Sequence, residues 1–220
     1  MQRIMEPEVM DTWEEAIDYD TMNFAEVNRA FALDAIALNP NPQSFVLDAG
    51  TGTGRIPILI CKINPQWQIL AIDLAANMLR IASENIQQAN LQQQITCELV
   101  DAKNLPYTDG VFDMVISNSL VHHLPDPLPF FQELKRVTKP NSGILIRDLL
   151  RPANQVILNT LVESVGNEYN SHQKKLFRDS LQAALTIDEV EQLVSSVDLV
   201  GVKIYQSSEL HWTIERAGTF

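Results

Sequence analysis

The chain has 220 residues, 45% of them hydrophobic, which is enough to bury one sizeable core and fits a single domain. Its 28 acidic and 16 basic residues give a net charge of -12, so phosphate backbones would be repelled and a nucleic-acid partner is not expected. No apolar run reaches the roughly 18 residues of a membrane span, and the acidic N-terminus lacks the apolar stretch of a targeting signal. We therefore expect a cytoplasmic protein without membrane insertion.

Helices and strands alternate along most of the predicted chain. Residues 1–43 are interpreted as an N-terminal helical cap that lies outside the sheet. From residue 44 onward, apolar runs alternate with amphipathic segments, a pattern typical of βαβ units around a parallel sheet. The helical segments are RIPILICKI, AANMLRIASENIQQA and PLPFFQELKRVT. The strands around them are SFVLDA, QILAID, ITCELV, FDMVIS and GILIRDLL.

The C-terminal part is predicted to complete one domain that covers residues 44–220. A helical insertion over about residues 152–183 precedes the helix TIDEVEQLVSSV and the strands VKIYQ and ELHWTIE. Cys61 and Cys97 lie in apolar segments without CxxC spacing and are predicted to be small buried hydrophobic residues. Neither a disulfide nor a metal site is therefore expected.

Three glycines follow the first predicted strand at every second position. Gly50, Gly52 and Gly54 lie in a strand-to-helix turn, where glycine permits positive φ and lets a ligand approach the backbone. A triphosphate-binding loop needs a lysine directly after its last glycine, and Arg55 stands there instead. A dinucleotide-binding turn needs a small residue three positions after its second glycine, and neither register of this turn supplies one.

Two acidic residues follow the next predicted strands. Asp73 ends the second strand about 20 residues after the turn, where a carboxylate can accept both hydroxyls of a ribose. Asp101 and Ala102 follow the third strand beside the same crevice, where a carboxylate can accept from an exocyclic amine. The sequence therefore predicts a site for an adenosine-like nucleoside that is bound without phosphates.

These motifs resemble those of the class I S-adenosylmethionine-dependent methyltransferases. The segments LDAGTGTG, AIDLAANML, VDAKNLPY, FDMVISNSLVHHLPDP and LKRVTKPNSGILI follow the family's order over residues 45 to about 150. The segment YDTMN at residues 19–23 resembles the ubiquinone and menaquinone C-methyltransferase branch. The resemblance implies a Rossmann-like, doubly wound seven-stranded α/β sheet with an antiparallel last strand. It departs from the family at KPNSG, where Asn141 is expected to allow a modified turn.

The resemblance also implies S-adenosylmethionine as cofactor and assigns its contacts. Asp48 and the backbone of Gly50 to Gly54 would hold the methionine moiety, and Asp73 would bind the ribose. Gly54 could instead serve helix packing, Met78 could be ordinary core, and Asp48 could mainly accept from turn amides. The full set of implied cofactor residues is Asp48, Gly50, Thr51, Gly52, Gly54, Asp73, Leu74, Met78, Asp101, Ala102 and Asn118.

The methyl acceptor is predicted to lie near the segment SNSLVHHL. Asn118, His122 and His123 follow the fourth strand, and a histidine there could take a proton from a hydroxyl, thiol or activated carbon. In a helical segment the two rings would diverge by about 100 degrees, so that only one would face the methyl group. Packing roles for both rings remain open. After the fifth strand, Arg147, Asp148 and Arg151 could face the acceptor, and we include Arg151 among the candidate catalytic residues.

Segments outside the sheet are predicted to close over the acceptor. The function predicted is methyl transfer to the O, S or C atom of a small molecule; the alternative is a regulatory module that binds S-adenosylmethionine or S-adenosylhomocysteine without turnover. An Asn-Pro-Pro-Tyr segment, which would indicate methylation of base amines in nucleic acid, is absent after the fourth strand. The oligomeric state stays open. Candidate lining residues are Tyr19, Met22 and Asn28. Tyr169, His172 and Arg178 could complete a lid or form a solvated helix face, and Trp212 with His211 is expected to close the core near the same end.

Overall fold

Seven strands form one mixed sheet in the computed structural model, which describes residues 1–9, 11–166 and 169–219. The strands are β1 (Phe45–Ala49), β2 (Gln68–Asp73), β3 (Ile95–Leu99), β4 (Phe112–Asn118), β5 (Thr138–Leu149), β6 (Lys203–Gln206) and β7 (His211–Arg216). Their order across the sheet is β3-β2-β1-β4-β5-β7-β6, and β7 runs antiparallel to both neighbours. The predicted doubly wound sheet with an antiparallel last strand is therefore confirmed.

The helices begin and end close to the sequence-based predictions. The predicted segments RIPILICKI and AANMLRIASENIQQA become α3 and α4, and a short 3₁₀ turn covers Val121–His123. The insertion contributes α6 and α7, although its residues 167–168 lie outside the described residues. The eight helices of the described ranges are α1 (Trp13–Thr21), α2 (Ala25–Leu38), α3 (Arg55–Ile63), α4 (Ala76–Gln88), α5 (Leu128–Val137), α6 (Gln155–Ser164), α7 (Ser171–Ala183) and α8 (Ile187–Ser196).

Two hydrophobic cores cover opposite faces of the sheet. Alternate residues of a strand point to opposite faces, and Val46 and Leu47 of β1 accordingly belong to different cores. One core contains residues of α5 and α8, and the other contains residues of α2 and α3. The central strands are buried on both faces, which explains their continuous apolar runs. Asp48 and Asn118 lie toward the carboxyl ends of β1 and β4, at the edge that carries the site.

The N-terminal region differs from the predicted helical cap in two ways. Phe31, Ala32 and Ala35 of α2 are buried in the second core, so this helix is a layer of the main domain. Residues 1–9 contain no helix and form a segment that we call the strap. The Arg3 guanidinium attaches the strap to the domain by donating to the carbonyls of Ala183 (2.6 Å), Leu124 (3.0 Å) and His122 (3.3 Å).

Smaller predictions are met in part. Asn141 adopts a φ of 60° within β5, which is the left-handed conformation expected for the modified turn. Cys61 is buried as predicted, whereas Cys97 is only partly buried, and both thiols are free. Within the described ranges, no helix combines the length and the apolar character needed to cross a membrane.

Candidate functional site

A cavity of about 800 Å³ lies at the carboxyl ends of the parallel strands. Many of the predicted site residues line it, because the ends of parallel strands meet at one edge of the sheet. The predicted residues in the lining are Gly50, Gly52, Asp73, Leu74, Met78, Asp101, Ala102, Asn118, His122 and His123. Asp48, Thr51 and Gly54 lie behind this surface, and Arg151 lies away from it.

The glycine turn is held in place by backbone hydrogen bonds to the neighbouring strand β2. The N–H groups of Gly50 and Thr51 both donate to the carbonyl of Ile72 at 2.9 Å. Gly52 has a φ of 55°, and an added Cβ would meet only the Tyr19 ring, at 3.6 Å. At Gly54 an added Cβ would stand 3.1 Å from the Cβ of Ala82, so this glycine permits close packing of α3 on α4. Gly52 therefore leaves its face open to a ligand, and Gly54 serves packing.

The Asp73 carboxylate is fixed between two backbone donors. Gly52 N–H donates to Oδ2 at 2.8 Å, and Ala75 N–H donates to Oδ1 at 2.9 Å. A carboxylate offers about four lone-pair positions, so each oxygen retains one for a further donor on the cavity side. Burial raises the pKa of Asp73, although the two N–H donors oppose this effect. The arrangement suits a ligand that brings two adjacent hydroxyl donors.

Asp101 is part of an ionic cluster at the rim of the cavity. Its Oδ1 accepts from the backbone N–H of Lys103 and from the Lys103 ammonium, both at 2.9 Å. The same ammonium also contacts the carboxylate of Glu8 in the strap. The strap is thus joined to the cavity edge beside the residues predicted to recognise adenine.

Asp48 lies behind the glycine turn and is almost fully buried. Its Oδ2 has no hydrogen-bond partner among the described residues. Burial, and then the nearby charge of Asp73, raise the pKa of Asp48 to about 7, although Thr51 opposes the shift. A buried carboxylate without a counter-ion is suited to a ligand that brings a positive charge close to it.

The two histidines lie side by side rather than diverging. Their ring centroids are 4.1 Å apart with an interplanar angle of 35°. The divergence expected from the backbone is wrong because both rings turn toward one carboxylate: Glu6 Oε1 lies 3.5 Å from His122 Nε2 and 3.0 Å from His123 Nδ1. On its other side, His122 Nδ1 lies 2.6 Å from Asp148 Oδ1. Burial opposes a charged ring, but Asp148 outweighs it and raises the pKa of His122.

The three charged residues of β5 and its exit have separate roles. Asp148 is fully buried and holds the 3₁₀ turn, accepting from the N–H groups of Val121 (2.5 Å) and His122 (3.3 Å). Arg147 lines the cavity and donates to Asp34 at 2.8 Å. Arg151, predicted to face the acceptor, is instead buried against α8, where it donates to Glu189 at 2.5 Å and to the carbonyl of Ala184 at 3.1 Å. Arg151 therefore forms a structural salt bridge.

The predicted closing segments reach the cavity in part. Tyr19, Met22, Asn28, Tyr169 and His211 line it. Burial, and then Asp73, raise the pKa of Tyr19 to about 12, so this phenol stays protonated at neutral pH. His172 is exposed on α7, Arg178 donates to Asn159 on α6, and neither lines the cavity, while Trp212 is buried in the core.

Other lining residues were missed by sequence reasoning. They lie in the strap, in α2, along one side of α7 and in the loop before β7, and no recognisable motif marks them in the sequence. Only the three-dimensional contacts between distant segments bring them together. They include Glu8, Val9, Phe24, Val27, Gln173, Leu176, Phe177, Ser180, Ser207, Ser208 and Leu210.

This sheet, glycine turn and Asp73 carboxylate define the class I S-adenosylmethionine-dependent methyltransferases. Residues 40–218 match the model of the methyltransferase domain family, and the chain belongs to this family. S-adenosylmethionine is its cofactor. The site fits that cofactor, because Asp73 retains positions for two hydroxyl donors, Gly52 leaves open space, and the buried Asp48 lacks a counter-ion.

Similar proteins include two curated methyltransferases. The chain is 34% identical over 114 residues to a demethylmenaquinone methyltransferase of Lactobacillus johnsonii, covering 51% of this chain and 47% of that enzyme. It is 27% identical over 202 residues to a malonyl-[acyl-carrier protein] O-methyltransferase of Marinomonas sp., covering 91% of this chain and 72% of that enzyme. The match thus spans about half the length of the first of these relatives.

Solved structures show the same fold. The plantazolicin methyltransferase BpumL, in complex with a desmethyl substrate analogue and S-adenosylhomocysteine, aligns with a TM-score of 0.71 and 18% identity over 94% of this chain and 91% of that one. A SAM-dependent methyltransferase of Aquifex aeolicus aligns with a TM-score of 0.66 and 18% identity, covering 94% and 99%. At this identity the likeness establishes the fold alone.

Proposed function

We propose that the chain transfers the methyl group of S-adenosylmethionine to a small aromatic acceptor that carries a hydroxyl, such as a phenol or quinol. The observation that carries the proposal is the contrast between two parts of the cavity lining. We call the lining residues within 50–52, 73–78 and 100–103 the cofactor wall, and those within 8–34, 120–124 and 165–180 the acceptor wall. The acceptor wall is largely apolar and aromatic, with contributions from Met22, Phe24, Val27, Tyr169, Leu176 and Phe177.

The size of the cavity supports room for two ligands. A volume of about 800 Å³ stands in the upper part of the range of roughly 300–1,000 Å³ that is usual for ligand pockets. A nucleoside held at the cofactor wall therefore leaves space beside the acceptor wall. A small neutral acceptor is also favoured over nucleic acid, because the net charge of -12 repels phosphate.

The residues of the chain are proposed to act mainly by alignment. When bound, the cofactor supplies a methyl group that its sulfonium already activates. Asp73 and Gly52 would orient the nucleoside, and the apolar acceptor wall would exclude water and hold the acceptor in line with the methyl group. The acceptor hydroxyl must lose a proton, and we assign its receipt to His123, which lines the cavity with Glu6 and His122 beside it.

The names of two relatives fit this acceptor class to different degrees. Demethylmenaquinone, named for the Lactobacillus johnsonii relative, suits an apolar aromatic wall with a polar group at one end. The malonyl-[acyl-carrier protein] of the Marinomonas relative would bring an acidic group. The lysine and the arginine among the described lining residues are already paired: Lys103 with Asp101 and Glu8, and Arg147 with Asp34. We therefore favour the aromatic acceptor.

The test is a turnover screen with S-adenosylhomocysteine production as readout. Phenols, quinols, thiols and small carboxylic acids are offered at equal concentration, and binding is followed in parallel by thermal shift. We expect turnover with phenols or quinols. Turnover confined to thiols or acids would contradict the acceptor class. Cofactor binding without turnover on any compound would favour the regulatory module instead.

A further inference from the structure

Three ligand atoms converge between the strap and the 3₁₀ turn. They are Glu6 Oε1, His122 Nε2 and His123 Nδ1, and all lie within 4.8 Å of one another. The carboxylate oxygen is 3.5 Å from His122 Nε2 and 3.0 Å from His123 Nδ1. A tetrahedral ion with Zn–N and Zn–O bonds near 2.1 Å separates its ligand atoms by about 3.4 Å. The observed spacing is therefore close to that of a ready-made coordination site.

Asp148 orients one of these ligands. Its Oδ1 lies 2.6 Å from His122 Nδ1, so the proton of a neutral ring is held on that nitrogen. The lone pair of Nε2 is then directed toward Glu6. A carboxylate behind a histidine is the usual outer partner of a metal-bound imidazole, because it fixes both tautomer and ring orientation.

Burial makes the convergence costly without a positive charge. Only 8% of the Glu6 side chain and 4% of the His122 side chain are exposed. Glu6 Oε1 and His123 Nδ1 have no hydrogen-bond partner among the described residues, although they lie 3.0 Å apart. Glu6 Oε2 accepts from Ser180 Oγ at 3.2 Å, so the ring nitrogens of His122 and His123 are what Oε1 faces, and a cation bound between these three atoms would compensate the buried charge.

We propose that Glu6, His122 and His123 bind one divalent transition-metal ion of the Zn²⁺ type. Nitrogen and carboxylate ligands are those that Zn²⁺ prefers, and three protein ligands leave a fourth position open. Because both histidines line the cavity, that position is directed to the same space as the acceptor wall. The ion would also tie the strap to the 3₁₀ turn, 116 residues farther along the chain. The metal site does not depend on which acceptor is methylated. His123 would receive the acceptor's proton only in the metal-free protein, because an ion bound at Nδ1 leaves the other ring nitrogen protonated.

The test is calorimetric titration of the full chain with Zn²⁺ after treatment with a chelator, without cofactor or acceptor. We expect one ion per chain in the wild type. Glu6→Gln and His123→Ala should each weaken binding by at least about 10-fold. Glu8→Gln is the matched control, since Glu8 lies in the same strap but faces Lys103 rather than the histidines. His172→Ala controls for a surface histidine.

Three outcomes would overturn the proposal. A wild-type protein that binds no Zn²⁺ would show that a proton, rather than a metal ion, is shared within the cluster. If Glu6→Gln and His123→Ala both bound Zn²⁺ with wild-type affinity, the ion would lie elsewhere. Circular dichroism establishes that each variant is folded, and Co²⁺ titration of the wild type gives a second readout. Absence of the intense visible absorption of tetrahedral Co²⁺ would also contradict the site.

Discussion

The cofactor wall and the acceptor wall differ in what holds their polar groups in place. On the cofactor wall, Asp73 is fixed by the N–H groups of Gly52 and Ala75, and the glycine turn is fixed by the carbonyl of Ile72. On the acceptor wall, polar groups are held by side chains from other segments: Glu6, behind the wall, faces His122 and His123, and Glu8 pairs with Lys103 of the cofactor wall. The bonds of the cofactor wall use backbone N–H and C=O groups that any sequence supplies at these strand ends, whereas the contacts of the acceptor wall need particular side chains at both ends. The first wall is therefore set by the sheet itself and the second by the choice of side chains in distant segments.

The largest effect that we expect to distinguish the two walls is on kcat. His123→Ala removes the polar group proposed to receive the acceptor's proton, so kcat should fall by about 10² to 10⁴. The dissociation constant of the cofactor should stay nearly unchanged, because the cofactor wall is held by its own backbone. Steady-state kinetics on an acceptor from the screen, with calorimetry of cofactor binding, measure both quantities. His172→Ala should leave both unchanged, and a folded His123→Ala enzyme with near-wild-type kcat would remove the assignment.

A second effect concerns the pH dependence of stability on the cofactor wall. The folded-state pKa of Asp48, about 7, exceeds the ordinary value of about 3.9. Between these values the folded state holds a proton that the unfolded state releases, so stability falls as pH rises through this window and levels off above pH 7. Between pH 5 and pH 7 the loss should be about 2 kcal/mol, because the slope of roughly 1.4 kcal/mol per pH unit falls by half as the pH reaches the folded-state pKa.

Urea unfolding of the wild type and of Asp48→Asn at pH 5, 6 and 7 tests this. The variant lacks the titrating group, so the difference in free energy of unfolding between the two proteins should change across the series. If the free energy of unfolding changed with pH in the same way in both proteins, Asp48 would be ionised in the folded state throughout this range. The experiment uses protein without cofactor, because a bound positive charge would itself lower the pKa of Asp48.

A third prediction concerns cofactor binding, which should depend on the cofactor wall and not on the acceptor wall. Asp73→Ala removes the acceptor of both proposed ribose hydrogen bonds, so cofactor binding should weaken by about 1.5–3 kcal/mol. Calorimetry measures it, with Asp188→Ala, an exposed carboxylate on α8, as the control. A folded variant with an unchanged dissociation constant would remove the ribose assignment. The same variant should leave the Zn²⁺ affinity of the histidine cluster intact, since the two sites lie on different walls.

The smallest effect concerns the attachment of the strap. Arg3→Ala removes donors to three carbonyls, and we expect a loss of about 1 kcal/mol in unfolding free energy with faster proteolysis within residues 1–9. Urea unfolding and limited proteolysis followed by mass spectrometry measure these changes. Arg29→Ala, at an exposed position of α2, is the matched control. Equal cleavage rates in the two variants would show that other contacts hold the strap.

The sequence predicted the cofactor wall better than the acceptor wall. The strand ends and the glycine turn were found because each glycine or aspartate directly follows an apolar run that is recognisable in the sequence. Glu6 was not found, because its contact with His122 spans 116 residues and no local pattern marks it. His122 and His123 were recognised by residue type, yet their arrangement was wrong because a distant carboxylate draws both rings together.

Arg151 was misplaced for a related reason. An arginine at the exit of a strand can turn to either side, and the choice depends on which carboxylate comes within reach. Glu189, 38 residues farther along, lies on α8 and takes the guanidinium at 2.5 Å. Arg147, four positions earlier in β5, is directed to the cavity and pairs with Asp34 of α2. Two arginines in one segment thus have different surroundings that the sequence alone does not distinguish.

The burial of α2 limits how this domain can be shortened or recombined. Phe31, Ala32 and Ala35 share a core with Met114 of β4 and Leu145 of β5. A chain trimmed to residue 44, the boundary that the sequence pattern favours, would expose that side of the central strands to water. A chimera that exchanges acceptor specificity with another methyltransferase should therefore keep α2 from the same parent as the sheet, and exchange the strap and α7 instead.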